Sequence, residues 1–456
     1  MFKRASGYLP EDEPELVVGL DLGTSKISVV VAEREYNSDS AQIIGMGQAV
    51  SSGIRKGMIV NLEQAVRSVK QAVNDAQNMV GQEIRNVTVS FGGGEITNKL
   101  SSGMVSLGRS PRAVTSLDIE RAIEAAQANV SIPANQSILH TIPVEYSLDG
   151  NEGIEDPLGM TAMRLDIQLQ SIIVPTTTIQ NVLNCVERAG LEVEGFVLKP
   201  LTSALGVITP EESTAGAVVV DMGGGTTSIA VFFDGRCKYL GLVPIGGDHI
   251  TNDVSSILKI PINKAEEIKR EISIDPALNY TEDQNIEFAC SSRDYTVSKD
   301  DLSEIVKSRI EELFDSLVRP HIINASVPML PAGIILTGGV SKSEGLDSLL
   351  LNVMNLPIRV SEPLDVNKMP PGRNSQEYSS AAGIIRYIIE KERDSYRYMD
   401  NRGITKNISM IDQSNRHLVP EVSATSKVKD TAREIKEKTI QFSFMDELSK
   451  VFKDIF

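Results

Sequence analysis

Several things are scarce in this sequence, and each scarcity narrows what the chain can be. Its three cysteines, Cys185, Cys237 and Cys290, stand far apart. They form neither a disulfide framework nor a zinc motif, and they suit a reducing cytoplasm. No apolar run is long enough to span a bilayer. The start, Met1–Glu15, turns polar and acidic after Lys3-Arg4 and lacks the apolar centre of a secretion signal. Positive charge is short: 45 Lys and Arg face 61 Asp and Glu, for a net charge of −16. That balance argues against non-specific nucleic-acid binding, so no nucleic-acid partner is expected. A Walker A loop, G-x-x-x-x-G-K-[ST], is also missing. What remains is ordinary for a globular protein, 41% hydrophobic and 23% charged. At 456 residues there is room for several compact units.

The most informative stretch is Ala217–Phe232, AVVVDMGGGTTSIAVF. An apolar run ends in Asp221. Gly223, Gly224, Gly225, Thr226 and Thr227 follow, and a second apolar run closes the stretch. Two β-branched runs around Gly and Thr predict a hairpin. A turn without side-chain bulk lets backbone N–H groups close on a phosphate, and the hydroxyls add donors. The aspartate at the strand end suits the hydrated Mg²⁺ that accompanies a nucleotide. Alone, this describes many ordinary turns. The chain, however, repeats it. Val17–Ala32 reads VVGLDLGTSKISVVVA, with Asp21 at the strand end and Gly23, Thr24 and Ser25 in the turn. Two similar halves, each with a phosphate hairpin, predict a nucleotide clamped between them.

Between these landmarks the pattern is α/β. Ile43–Val60 predicts a strand and turn, Asn61–Val80 an amphipathic helix, and Val87–Phe91 a strand ending in the Gly92-Gly93-Gly94 turn. Ile96–Leu165 changes character. It reads as a small inserted module with a helix at Ile119–Ala128, a strand at Ile138–Tyr146 and a loop at Asp149–Gly159; protein contact and inert insertion fit it equally. Leu165–Val174, the helix Thr178–Ala189 closed by Gly190, and Val193–Val197 read as a parallel crossover unit. Lys199–Val207 opens a helix with Pro200 in its first turn. Beyond the second hairpin, a Gly246-Gly247 turn opens the helix His249–Leu258. Ile262–Ile272 is a helix with Glu266, Lys269 and Arg270 on one face, which by itself reads as solvated charge. Ser298–Arg319 is a long helix. Gly333–Val340 is a buried strand reaching Gly338-Gly339 and opening the helix Ser343–Asn352, with Ser341 as its cap. Ser379–Lys391 is the last helix of the body.

The tail differs again. Arg393–Gln441 is polar and aperiodic, as a linker is. It ends in FSFMDELSKVFKDIF, where Phe444, Met445, Leu448, Val451, Phe452, Ile455 and Phe456 form one helical stripe. Such a stripe needs a receptor: a membrane surface, a groove on a partner, or the protein's own body. Lys427, Lys429, Arg433, Lys436 and Lys438 supply charge for anionic lipid upstream of it.

The two hairpins together with GIILTGGVSKSEGL resemble the actin-like ATPase superfamily. Within it the chain resembles the FtsA family of bacterial cell-division proteins, from about Leu16 to Lys391. IERAIEAA (Ile119–Ala126), HTIPVEY (His140–Tyr146) and EGIEDPLGM (Glu152–Met160) carry that closer likeness. The resemblance implies an α/β, two-lobed actin-like fold of duplicated ribonuclease-H-like mixed sheets flanked by helices, with ATP and Mg²⁺ in the cleft. Gly23, Thr24, Ser25 and Lys26 match the first phosphate loop, Asp221 and Gly223–Thr227 the second, and Gly338 and Gly339 the adenosine loop. Gly247 joins the nucleotide set. Glu266, Lys269 and Arg270 match a helix lying against adenine and ribose, and Asp21 and Asp221 would face Mg²⁺ through water.

On this likeness the first lobe spans 16–85, 166–204 and 370–392, with an inserted subdomain at 86–165 for self-association and for other division proteins. The second lobe spans 205–245 and 328–369. A small subdomain at 246–327 would bind the C-terminal tail of FtsZ. Residues 1–15 and 393–441 are flexible, and the helix at 442–456 would hold the homopolymer to lipid at the cytoplasmic face of the membrane, at the division site. A pilus-assembly or other membrane-associated scaffold ATPase is the alternative. A kinase leaves the tail unexplained, and a chaperone needs a peptide-binding domain for which there is no room. One departure matters. Chaperone relatives open the helix after the crossover strand with Glu-Pro, and that glutamate positions the attacking water; here the pair is Lys199-Pro200. A charged lysine is no general base, so slow or negligible hydrolysis is expected.

Overall fold

Two runs of β-branched residues, each broken by an aspartate and a glycine turn, build the same sheet twice. The computed structural model describes residues 15–34, 41–278, 280–281, 284–290, 293–364, 369–373, 375–394 and 396–400. The terminal stripe of Phe444, Met445, Leu448, Val451, Phe452, Ile455 and Phe456 lies outside the described residues. So do the first 14 positions and nearly all of the expected linker.

The first copy starts with β1 (Glu15–Leu22), β2 (Lys26–Arg34) and β3 (Ala41–Val50), an antiparallel meander. A two-residue ribbon, β4 (Ile54–Arg55) and β5 (Met58–Ile59), leads into α1 (Leu62–Val80) and β6 (Asn86–Phe91). Helix α1 forms as its spacing predicts. The Asn61 side chain accepts from Gln64 N at its start, Gly81 takes the left-handed position at its end, and an apolar face from Ala65 to Ala76 is buried. Strand β6 pairs parallel with β1.

An inserted unit follows: β7 (Thr97–Ser106), β8 (Arg112–Ala113), α2 (Ser116–Ala128), β9 (Gln136–Leu148), β10 (Asn151–Ile154), β11 (Thr161–Ala162) and β12 (Arg164–Pro175). Its sheet runs β10-β9-β12-β7. The core sets Ile119, Ala122, Ile123 and Ala126 of α2 against Leu165, Ile167 and Leu169 of β12. The chain then makes α3 (Thr176–Arg188), β13 (Glu192–Leu198) and α4 (Lys199–Val207). The short helix α5 (Pro210–Ala215) precedes the second copy. This comprises β14 (Ala217–Met222), β15 (Thr227–Phe233) and β16 (Arg236–Val243), then α6 (Gly247–Leu258), α7 (Ile262–Glu271), β17 (Asn285–Cys290), β18 (Arg293–Ser298), α8 (Lys299–Glu312), α9 (Arg319–Asn324), β19 (Gly333–Thr337), α10 (Leu346–Met354) and β20 (Ile358–Val360). Helix α11 (Ser379–Arg393) and the two-residue β21 (Met399–Asp400) close the described chain.

The duplication is plain in the strand orders, β3-β2-β1-β6-β13 and β16-β15-β14-β19-β20. Each is an antiparallel meander continued by two parallel strands. The registers agree as well: Asp21 lies opposite Ser28, and Asp221 opposite Ser228. Strand β14 is buried at all six positions, as a strand covered on both faces must be. This is the two-lobed actin-like fold that the resemblance implies. Helices α4 and α11 pack on each other, with α11 against β1 and α4 against β14. Their axes come close because glycines sit at the crossing: a Cβ on Gly383 would lie 1.8 Å from the Thr202 carbonyl oxygen, and one on Gly206 would lie 2.1 Å from that of Ser379. Among the described residues no helix is long and apolar enough to cross a membrane.

Several expectations change. Strand β6 belongs to the first sheet and β12 to the inserted one, so the inserted sheet begins at β7 and ends with β12; residues 86–165 are not its limits. The expected crossover of β12, α3 and β13 fails for the same reason. β13 pairs parallel with β6, in another sheet. The loop at Asp149–Gly159 contains β10, which pairs with the end of β9. Ser341 caps no helix. It lies in a tight turn, its hydroxyl donates to Gly338 O, and α10 starts later behind Gly345. The long helix after Ser298 widens into a π-type turn at Leu313–Val318 before α9. The segment 246–327 shares the second sheet's core, with Ile250, Val306 and Phe314 packed among its residues. The body also runs past position 393. Tyr398 is buried with its hydroxyl bonded to Glu390, and β21 pairs with β9.

Candidate nucleotide cleft

Each glycine-threonine turn follows from its own residues, and the fold then presses the two together. In the first, a Cβ on Gly23 would lie 2.5 Å from the Lys26 carbonyl oxygen, so this tight turn excludes a side chain. In the second, Gly223 N donates to Thr226 O at 2.9 Å. The turns meet at their tips. A Cβ on Gly224 would stand 1.9 Å from Ser25 Oγ, and one on Gly225 would stand 2.7 Å from Thr24. Thr24 Oγ1 also accepts from Gly57 N at 3.0 Å, which ties the first turn to the ribbon β4–β5.

The N-terminus of α6 braces the second turn. Gly247 N donates to Gly223 O at 2.9 Å and Asp248 N to Gly224 O at 2.8 Å. Thr227 is the one expected nucleotide residue that does not line the cavity. Its side chain is buried and its hydroxyl donates to Ile245 O at 2.8 Å, so it fastens the loop ahead of α6. A strand-end threonine that faces the sheet instead of the turn has that fate.

The turns close one side of a cavity of about 320 Å³. The other fourteen expected contacts line it: Gly23, Thr24, Ser25, Lys26, Gly223, Gly224, Gly225, Thr226, Gly247, Glu266, Lys269, Arg270, Gly338 and Gly339. Asp21 and Asp221 stand in its wall. Gly338, at φ 89°, turns the chain where a Cβ would strike Asp221 Oδ1 at 2.2 Å, while the site of a Cβ on Gly339 is open space. On the charged face of α7, Glu266 and Lys269 are therefore more than solvated charge, while Arg270 stays mostly exposed. Lys269 Nζ donates to Glu266 Oε2 at 2.5 Å, to Thr251 Oγ1 at 2.7 Å and to Gly247 O at 3.1 Å, and Arg270 Nε donates to Glu266 Oε1 at 2.7 Å. Burial pushes the Lys269 amine below the usual lysine value, against the pull of Glu266.

Sequence reasoning missed a second cluster. Lys26 Nζ sits 3.3 Å above the centre of the Tyr378 ring and 3.4 Å from Glu377, which Lys342 also reaches at 3.4 Å. Burial pushes the Lys26 amine down to about 8 despite Glu377. Gln376 and Glu377, in the short turn ahead of α11, and Ser380 in its first turn line the cavity, where nothing in the sequence marks a ligand. Gly92, first of the triple glycine read as a simple turn, lines it as well.

At the base of the cavity the two aspartates face a cation of the chain itself. Lys199 Nζ donates to Asp21 Oδ2 at 2.8 Å. Asp21 Oδ1 accepts from Ser380 Oγ at 3.1 Å, and Asp221 Oδ2 accepts from Ser203 Oγ at 2.6 Å. Burial opposes the charge of Lys199, but Asp21 and Asp221 outweigh it and hold the ammonium above its ordinary value. Burial pushes Asp221 up, with Lys199 and the Ser203 hydroxyl opposing.

Comparison with known proteins adds to this geometry. A family model described as "Cell division protein FtsA" matches residues 218–383, and one described as "SHS2 domain inserted in FTSA" matches residues 93–173. The second range fits the sheet from β7 to β12 and not the expected 86–165. The cell division protein FtsA of Pseudomonas aeruginosa is 36% identical over 383 residues, covering 83% of this chain and 91% of the relative. That of Borreliella burgdorferi is 35% identical over 381 residues, covering 83% and 92%. A solved structure of a PilM-PilN type IV pilus biogenesis complex matches with a TM-score of 0.56 at 16% identity, over 82% of this chain and 98% of the other. That likeness concerns the fold.

Proposed function

The chain belongs to the FtsA family of cell division proteins, and from that premise we propose that it is an ATP-gripping scaffold of the division site. It polymerises on the inner face of the cytoplasmic membrane, holds FtsZ there by that protein's C-terminal tail, and gathers later division proteins at the septum. The observation that carries the nucleotide part is the meeting of the duplicated turns. Two hairpins from opposite lobes, each rich in backbone N–H groups, touch at Gly224–Ser25 and Gly225–Thr24 and close on one cavity. A polyphosphate seated there bonds to both lobes at once and favours their closed arrangement.

ATP acts as a structural ligand in this reading, more than as fuel. The position from which a carboxylate would direct water carries Lys199, an ammonium bound to Asp21, and it takes no proton from water while charged. Turnover is slow for that reason. The inserted unit serves self-association and contact with division partners, and the segment 246–327 receives the FtsZ tail. The stripe Phe444, Met445, Leu448, Val451, Phe452, Ile455 and Phe456 is the membrane anchor, because its apolar width fits an interfacial helix.

Vesicle co-sedimentation tests the anchor. The full chain is expected to pellet with vesicles of anionic phospholipid. A chain lacking Phe442–Phe456, or carrying Phe452→Glu, is expected to stay in the supernatant, since a charge in the apolar stripe costs about 2.5 kcal/mol or more. Equal sedimentation of intact and shortened chains would refute the membrane role.

A further inference from the structure

The resemblance places a hydrated Mg²⁺ between Asp21 and Asp221, and the residues at hand do not fit one. Magnesium holds its waters in a near-ideal octahedron and binds carboxylates that are free to accept from that shell. Here three of the four carboxylate oxygens already accept a hydrogen bond from the protein: Asp21 Oδ2 from Lys199, Asp21 Oδ1 from Ser380 and Asp221 Oδ2 from Ser203. The fourth, Asp221 Oδ1, is hemmed in on one side by Gly338, where an added Cβ would lie 2.2 Å from it. The ammonium adds like-charge repulsion for any divalent ion brought alongside it.

We propose that the Lys199 ammonium is a tethered counter-ion in this cleft. It takes the place of the divalent cation, so that nucleotide is held without a requirement for Mg²⁺. This rests on the reading of the cavity as a nucleotide site and goes beyond it. The fold delivers the lysine for the purpose. Its stem passes Gly92, where a Cβ would lie 3.0 Å from Lys199 Cβ and 3.3 Å from Cδ, so this glycine makes room for it. Its Nζ reaches to 3.6 Å from the place a Cβ would take on Gly23, beside the first phosphate turn. An ammonium has three donors, of which Asp21 takes one; the side chain lines the cavity, and a phosphate oxygen is the matching acceptor. The ion a nucleotide would otherwise bring is thus built into the first residue of α4.

The test measures the affinity of the full chain for a fluorescent ATP analogue, once in excess MgCl₂ and once in EDTA. The wild type is expected to bind in both, with dissociation constants within about threefold of each other. Lys199→Met is expected to lose at least about tenfold in EDTA and to recover most of it in MgCl₂. Lys199→Gln, which keeps a hydrogen-bond donor beside Asp21, is expected to show the same dependence and guards against a folding defect in the first variant. Manganese binding to the nucleotide-free chain, followed by electron paramagnetic resonance, is expected to appear in the variants and not in the wild type. A tenfold loss by the wild type in EDTA would overturn the tethered-cation proposal and leave the nucleotide site standing. Variants as indifferent to MgCl₂ as the wild type would overturn it too. No binding under either condition would overturn the nucleotide site itself, and this proposal with it.

Discussion

Asp118 is buried in the inserted unit and yet charged, because its neighbours are chosen for it. Arg112 grips both oxygens at 2.7 Å, the Thr115 hydroxyl donates at 2.6 Å, and Thr115 N donates at 2.9 Å. The Arg112 guanidinium, outweighing burial and helped by Thr115, holds this carboxyl well below the usual carboxylate range. Its folded-state value is depressed, so its stabilisation is complete above the ordinary carboxylate value and drains away as pH falls toward the folded one. Asp118→Asn is therefore expected to lose about 2 kcal/mol in urea unfolding at pH 7, with the gap to wild type narrowing below about pH 4. A gap independent of pH would mean that the charge is not what stabilises the start of α2. The capping box of Thr115 and Asp118 is local to the start of α2, while its arginine partner is placed by the β8–β11 ribbon.

At the scale of elements, the junction of α4 and α11 decides how the lobes hold together. Both helices belong to the cleft, α4 through Lys199 and Ser203, α11 through Ser380. They approach closely because Gly206 and Gly383 carry no side chain at the crossing. Gly383→Ala would push a methyl into the Thr202 carbonyl and should cost about 1–3 kcal/mol. Gly190→Ala is the control. That glycine has φ 95° but open space around it, so only backbone strain of about 1 kcal/mol is expected. Thermal unfolding of the two variants tells packing from strain, and equal shifts would contradict the tight crossing. Glycines in helices normally read as weak points; here their spacing marked neither helix as a partner of the other.

For the molecule as a whole, the proposed nucleotide grip makes the duplicated turns couple the lobes through the ligand. ATP at about 100 times its dissociation constant should raise stability by about 2.7 kcal/mol, read as an upward shift in melting temperature. A Cβ on Gly224 would lie 1.9 Å from Ser25 Oγ, so Gly224→Val drives bulk into the first turn. It should abolish the ATP-induced shift while leaving the melting temperature without ATP within a few degrees, since that loop contributes nothing to the hydrophobic clusters of the second sheet, the inserted unit or the first sheet. A shift that survives in Gly224→Val would show that the turns do not need to meet.

The sequence by itself determined the local pieces. Apolar strands ending in aspartate, glycine-threonine turns and amphipathic helices are each decided within a few residues, by β-branching, left-handed glycine and helical spacing. Their repetition was enough to predict two lobes around a nucleotide. Only the tertiary structure decided which strands share a sheet, because β12 and β13 carry similar apolar runs and differ in the neighbour they find. It also decided what faces the aspartates. Lys199 is 178 positions from Asp21 and Ser380 is 359 away, and no local pattern reports a contact set by the order of strands between them. The sequence put a lysine ahead of Pro200; the fold set its ammonium against Asp21, at 2.8 Å from Oδ2.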